Sequence, residues 1–166
     1  MLERLARPEN HGQVLVSRAL GYLATARNGL TEDELLDILA QDDECWAEFL
    51  HHSQHDISES GGEHRRLPII IWSRLYYDVE SYLAERDVDH TCVMFFCHHQ
   101  VEEVAERRYL ANDLGEKLHK HLADYFVGQP HQFPSEDGIW TPNYRKLSEL
   151  LYHQTEAGLW AECEST

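Results

Sequence analysis

Basic residues are scarce in this chain: fourteen Lys and Arg stand against thirty Asp and Glu, a formal charge of −16 over 166 residues. The acidic excess is spread along the chain, so it repels a phosphate backbone, whose nonspecific affinity comes from cationic contacts that release counterions. A DNA-binding role is disfavoured on that ground. No apolar run approaches the roughly 18 residues that a membrane-spanning helix needs. The opening MLERLARPENHG is charged and has no apolar core of a secretory signal. A soluble, cytoplasmic chain is expected.

Cysteine is sparse and unpatterned. Cys45, Cys92, Cys97 and Cys163 form no Cys-x-x-Cys pair, and Cys92 and Cys97, five apart in one strand, face opposite ways. Four reduced, buried thiols are expected. No G-x-x-x-x-G-K-[ST] loop is present, and Gly115-Glu116-Lys117 is read as an exposed turn feeding a helix. Without a phosphate loop the chain cannot hydrolyse ATP alone. No Ser-His-Asp or Cys-His unit has useful spacing, so no catalytic residue is assigned. His51 and His55 are four apart, a spacing that metal-binding helices use, but no Glu lies between them in the H-E-x-x-H manner and a third ligand is missing. No metal is expected. His119 and His121, two apart on a helix, face apart.

What the chain has is helical periodicity. A first helix is predicted over about Gly12–Arg27, stopped by Asn28-Gly29. Thr31 and Glu34 make a Thr-x-x-Glu capping box that opens a second helix with Leu35, Leu36, Ile38 and Leu39. A third is predicted over about Asp43–Ser53. Residues 55–66, HDISESGGEHRR, lack apolar spacing and read as a surface loop. From Ile71 the apolar positions Trp72, Leu75, Tyr76, Val79, Tyr82 and Leu83 follow the i, i+3, i+4, i+7 rule. Glu85 to His90 reads as a charged turn, and Thr91 to Cys97 as a short strand buried on both faces. Helices are predicted over about His99–Tyr109 and Leu114–Val127, then a loop from Gly128 to Pro142, then a helix over Tyr144–Glu162 with Leu147, Leu150, Leu151 and Leu159 on its apolar side.

In order and spacing, GLTEDELLDIL (29–39), LPIIIWSRLYYDVESYLAER (67–86), FFCHHQ (95–100), HKHLADYF (119–126) and RKLSELLYHQTEAGLW (145–160) resemble the winged-helix and helical-arm region that follows the nucleotide-binding domain of STAND-class signalling ATPases of the NACHT and NB-ARC type. The resemblance spans roughly residues 10 to 160. It implies a mainly α fold: a linker over 1–11, a winged-helix domain with a small β wing over 12–112, and a helical extension over 113–166 that begins a repeat arm. It also implies a non-catalytic coupling module. Such a module binds no cofactor alone, meets ADP or ATP only when joined to a nucleotide-binding domain upstream or on a separate protein, and passes the nucleotide state to sensor repeats beyond its C-terminus.

In that family a histidine between the wing strand and the next helix reads the nucleotide phosphates, and His98 holds the matching place. Plant members have Met-His-Asp there, whereas this chain has Cys97-His98-His99 and so lacks the family's aspartate. The alternative for His98 is a capping or core histidine at a strand–helix junction. The helix from Trp72 to Leu83, with Trp72, Arg74, Tyr76 and Tyr77, is the expected docking face, its mixed charges and tyrosines suiting protein better than a phosphate groove. A winged-helix transcription regulator and a stand-alone acidic adaptor are the alternative functions. The opening, close to where a nucleotide domain's linker would lie, suggests a fragment of a larger ATPase.

Overall fold

In a computed structural model, residues 2–52, 65–111, 113–134 and 137–163 are described. The order of elements is α1 (Leu2–Leu5), α2 (Gln13–Thr25), α3 (Glu32–Gln41), α4 (Asp43–His52), α5 (Ile69–Val79), a 3-10 turn (Glu80–Tyr82), β1 (Leu83–Val88), β2 (Thr91–Phe96), α6 (His99–Tyr109), α7 (Leu114–Gly128), β3 (Gln132–Pro134), β4 (Trp140–Pro142), α8 (Tyr144–Glu156) and α9 (Trp160–Cys163). This is a mainly α fold with a small β wing.

α2 is central. It packs on α3, α4, α6, α7 and β2, so Val16, Ala19, Leu20, Tyr22 and Leu23 are all buried and the helix has little exposed surface. Gly29, with φ of +87°, turns the chain out of α2. A Cβ at Gly29 would overlap the Met94 carbonyl. That close approach lets Leu30 and Met94 exchange backbone hydrogen bonds of 3.1 and 2.7 Å, fastening the helix-turn-helix to the wing. Thr31 then caps α3 as expected: its hydroxyl accepts from the Glu34 N–H at 3.0 Å and the Glu34 carboxylate accepts from the Thr31 N–H at 2.9 Å.

The charged stretch from Glu85 is strand, not turn. β1 pairs antiparallel with β2 from Leu83↔Phe96 to Val88↔Thr91, and only Asp89 and His90 turn, both at positive φ, as a two-residue hairpin loop requires. β2 is the buried strand of the wing, with Val93, Met94 and Phe96 inward, whereas Glu85, Arg86 and Asp87 of β1 remain exposed and give that strand no apolar pattern. α5 accordingly ends at Val79, earlier than the predicted helix.

Two more differences lie in the C-terminal part. The loop expected from Gly128 to Pro142 contains the β3–β4 hairpin. The last predicted helix divides into α8 and α9 at Ala157-Gly158, where Gly158 has φ of +68°. α7 and α8 pack together, and Leu118, Leu122, Ala123, Tyr125, Phe126 and Leu150 join the same apolar cluster as α2 and α3. The N-terminal stretch read as a linker is also held: Leu5 is buried in that cluster, and the His11 imidazole lies 2.8 Å from the Asp78 carboxylate of α5.

Candidate functional site

His98 is the N-cap of α6, with φ −125° and ψ 118°. Its ring makes no capping hydrogen bond and is exposed. Its carbonyl takes the helix-opening role instead, accepting from the N–H groups of Val101 (2.9 Å) and Glu102 (3.2 Å). The ring therefore stands in solvent at the positive end of an eleven-residue helix, a place that favours anions. His99, beside it, turns to Glu102 and Glu103 at 3.5 and 3.7 Å. The preceding Cys97 is anchored through its backbone N–H to the Tyr82 carbonyl at 3.0 Å.

The expected docking face on α5 is only partly a surface. Trp72 is 1% exposed and belongs to the core, because the same i, i+3, i+7 stripe that forms the helix turns Trp72, Leu75 and Val79 inward. It cannot serve as an interaction residue. Arg74 and Tyr77 face solvent, Tyr77 at 74%. Tyr76 is half-buried beside Trp72, rings 5.8 Å apart, in a notch that Glu32, Glu85, Cys92 and Met94 also line.

The expected set of buried thiols also changes. Cys45 is buried and its thiol is pushed up to about 12 by burial and by Asp42 nearby, whereas Cys92 and Cys97 are exposed. His55 lies outside the described residues. Among the described residues no three His, Cys, Asp or Glu side chains gather as a metal site. His119 and His121 do face apart: His121 meets the Tyr22 hydroxyl at 2.7 Å, and His119 turns to α8.

α8 presents a surprise in its polarity. Its buried side carries Arg145, Lys146, Glu149, His153 and Gln154, with Leu150 the apolar member, whereas Leu147 and Leu151 are 58% and 48% exposed. The buried side is a chain of charge-assisted contacts. The Arg145 guanidinium donates to both Glu34 oxygens at 3.0 Å, to Glu149 at 3.1 Å and to the Gly29 carbonyl at 2.9 Å. Glu149, fully buried, also accepts from the N–H groups of Arg27 and Asn28 at 3.2 and 3.1 Å, and His153 Nε2 lies 3.1 Å away. His153 Nδ1 is 3.0 Å from His119 Nδ1, so one of the two must carry the shared proton.

Burial works against charge on Glu149, but the hydrogen bond with His153 and the charge of Arg145 outweigh it and hold the carboxyl below its ordinary range. Burial also works against Arg145, yet Glu34 and Glu149 raise its pKa. Burial, with His153 alongside, lowers His119 to about 4, which keeps it neutral at pH 7. Lys146 completes the join by donating to the Val127 and Gln129 carbonyls at 2.9 and 2.8 Å, at the C-terminal end of α7. Sequence reading missed this network because an inward polar face looks like a solvated one. The only local signal is Arg145 and Glu149, four apart on a helix.

Comparison with known proteins bears on these geometries. Residues 1–117 match a family model described as the NWD1-like winged helix-turn-helix domain. The chain is 35% identical over 173 residues to the human NACHT domain- and WD repeat-containing protein 1, a match covering 90% of this chain and 11% of that protein. The mouse protein of the same name is 32% identical with the same coverage. The human NACHT and WD repeat domain-containing protein 2 is 31% identical over 199 residues, covering 89% of the chain and 11% of the relative. The chain thus spans 11% of the length of these curated relatives. No solved structure matches it with significance.

Proposed function

Because the chain belongs to the NWD1-like winged helix-turn-helix family, whose matched relatives are named for a NACHT domain and WD repeats, we propose that it is the non-catalytic coupling module of a STAND-type switch, reading nucleotide phosphates through His98. The observation that carries this reading is the exposed His98 ring. It neither caps α6 nor packs in the core, so both ordinary structural uses of a junction histidine are unfilled, and the ring stands at the helix end that attracts anions. In this reading ADP or ATP sits on a neighbouring NACHT domain and not on this chain, which brings one donor to the phosphates and hydrolyses nothing. The place of action is the cytoplasm. No helix of the described residues is long and apolar enough to cross a membrane.

The packing supports a relay. α6 begins at His98 and packs on α2, and α2 is joined through Arg27, Asn28 and Gly29 to the Arg145–Glu149 pair of α8. A force on the phosphate-facing junction thereby reaches the α8 surface, where Leu147 and Leu151 are free to meet a following sensor. The partners of this reading are proteins, not nucleic acid: α5 exposes Tyr77 and Asp78 beside Arg74, and the chain carries −16 overall.

A chimera tests the proposal. The chain replaces the corresponding segment of the human NACHT domain- and WD repeat-containing protein 1, and the nucleotide retained after purification is quantified. His98→Ala should weaken ADP retention by about one to two powers of ten, the worth of one charge-assisted hydrogen bond. Retention equal to that of the unsubstituted chimera overturns the His98 role.

A further inference from the structure

A second polar site lies at the other end of α6. A cleft of about 620 Å³ opens between the N-terminal segment, α2 and the α6–α7 junction, and its walls include Arg7, Arg18, Arg108 and Tyr109 together with Glu3 and Glu44. In a chain so short of cations, three guanidiniums converge there. Among the described residues the buried Tyr109 hydroxyl makes no hydrogen bond, and Tyr109 lines this cleft. Buried polar groups are nearly always partnered, so this exception marks hydrogen-bonding capacity that the fold leaves unused. Tyr109 is 6% exposed, its hydroxyl pKa raised by burial against the opposing charge of Arg108.

The arginines divide by role. Arg18 is fixed, with Nε 2.8 Å from Asp42 Oδ2 and Nη2 on Glu44. Arg7 and Arg108 are held only loosely, by Glu9 at 3.9 Å and Glu3 at 3.6 Å, and all four of these side chains are substantially exposed. Exposed pairs of this kind contribute little and exchange partners cheaply. A guanidinium released from such a pair has the planar fork that fits an oxyanion.

We propose that this cleft binds an oxyanion, the phosphate or carboxylate group of a small organic acid. Arg7 and Arg108 move from Glu9 and Glu3 to the ligand, and the Tyr109 hydroxyl donates to it. The site is independent of the His98 reading, since His98 is at the opposite end of α6, roughly 15 Å away at the rise of a helix.

Titration of the isotopically labelled 166-residue chain with pyrophosphate and, separately, citrate, at constant ionic strength with chloride as control, tests it by NMR at the arginine Nε–H groups and the backbone of α6. The expected result is a saturable shift at Arg18, Arg108 and Tyr109 with at least one of the two acids. Pyrophosphate alone identifies a phosphate ligand and citrate alone a carboxylate. Tyr109→Phe should weaken binding about ten-fold without lowering the melting temperature of the free chain. Arg108→Ala should abolish binding. Shifts no larger than those of chloride, or affinities unchanged in both variants, overturn the proposal.

Discussion

Glu34 closes the capping box of α3 and, with the same carboxylate, accepts two hydrogen bonds from Arg145, 111 positions later in the chain. The first role is local and was legible from Thr-x-x-Glu alone. The second was not, because nothing near Glu34 indicates a partner so distant. Arg145→Met would leave Glu34 and fully buried Glu149 without their cation. Removing one member of a buried pair costs about 3–5 kcal/mol, so urea denaturation should show a loss of that size. Arg107→Ala, at an exposed i,i+4 pair on α6, should change stability by less than about 0.5 kcal/mol. Equal effects of the two substitutions would show that the buried chain of contacts is not what joins α8 to the fold. His98 belongs to the other category: its position at a strand–helix junction was legible, but its lack of a capping bond is visible only in the folded structure.

At the scale of elements, what was readable was what one element settles by itself. α2, α3, α6 and α7 were found close to their observed limits because each has an apolar face or a cap within its own sequence. β1 was misread because its residues alternate nothing: Glu85, Arg86 and Asp87 are exposed on both faces of the strand, and only pairing with β2 makes the segment a strand. α8 was located correctly but rotated, with Leu147 and Leu151 assigned inward where Arg145, Glu149 and His153 lie. The electrostatic demand of Glu34, and of the backbone N–H groups that follow α2, outweighed the transfer of two leucines, worth about 1.5–3 kcal/mol each. Gly29 is the critical joint between elements. Gly29→Ala combines a disfavoured φ with overlap on Met94, so it should destabilise by more than about 1 kcal/mol. Hydrogen exchange should show earlier loss of protection at Leu30 and Met94 than elsewhere in the core. Unchanged protection at those two amides would place the strain elsewhere.

For the whole molecule, the histidine pair predicts a dependence on acidity. The folded pKa of His119, about 4, lies below its ordinary 6.5, so the unfolded chain takes up the proton first and stability falls as pH drops between those values. Glu149, held below the ordinary carboxyl value of 4.5, contributes stability that is complete above that value and is lost below it, which continues the trend in the same direction. Melting temperature should therefore decline from pH 7 toward pH 4, and His119→Gln should flatten the upper part of the decline. A profile identical to that of the parent chain would remove His119 as the cause.

The double hydrogen bond between Leu30 and Met94 has a mechanical meaning. A hairpin standing in solvent is ordinarily a compliant appendage, but this one is riveted at its root to the helix-turn-helix and, near its tip, by the Ser148 hydroxyl donating to Asp89 at 2.6 Å. With two attachment points it behaves as a strut rather than a whip. Displacement at either end is transmitted with little slack, and the wing gives the third helix a second mechanical route to the eighth beside the direct Glu34–Arg145 contact.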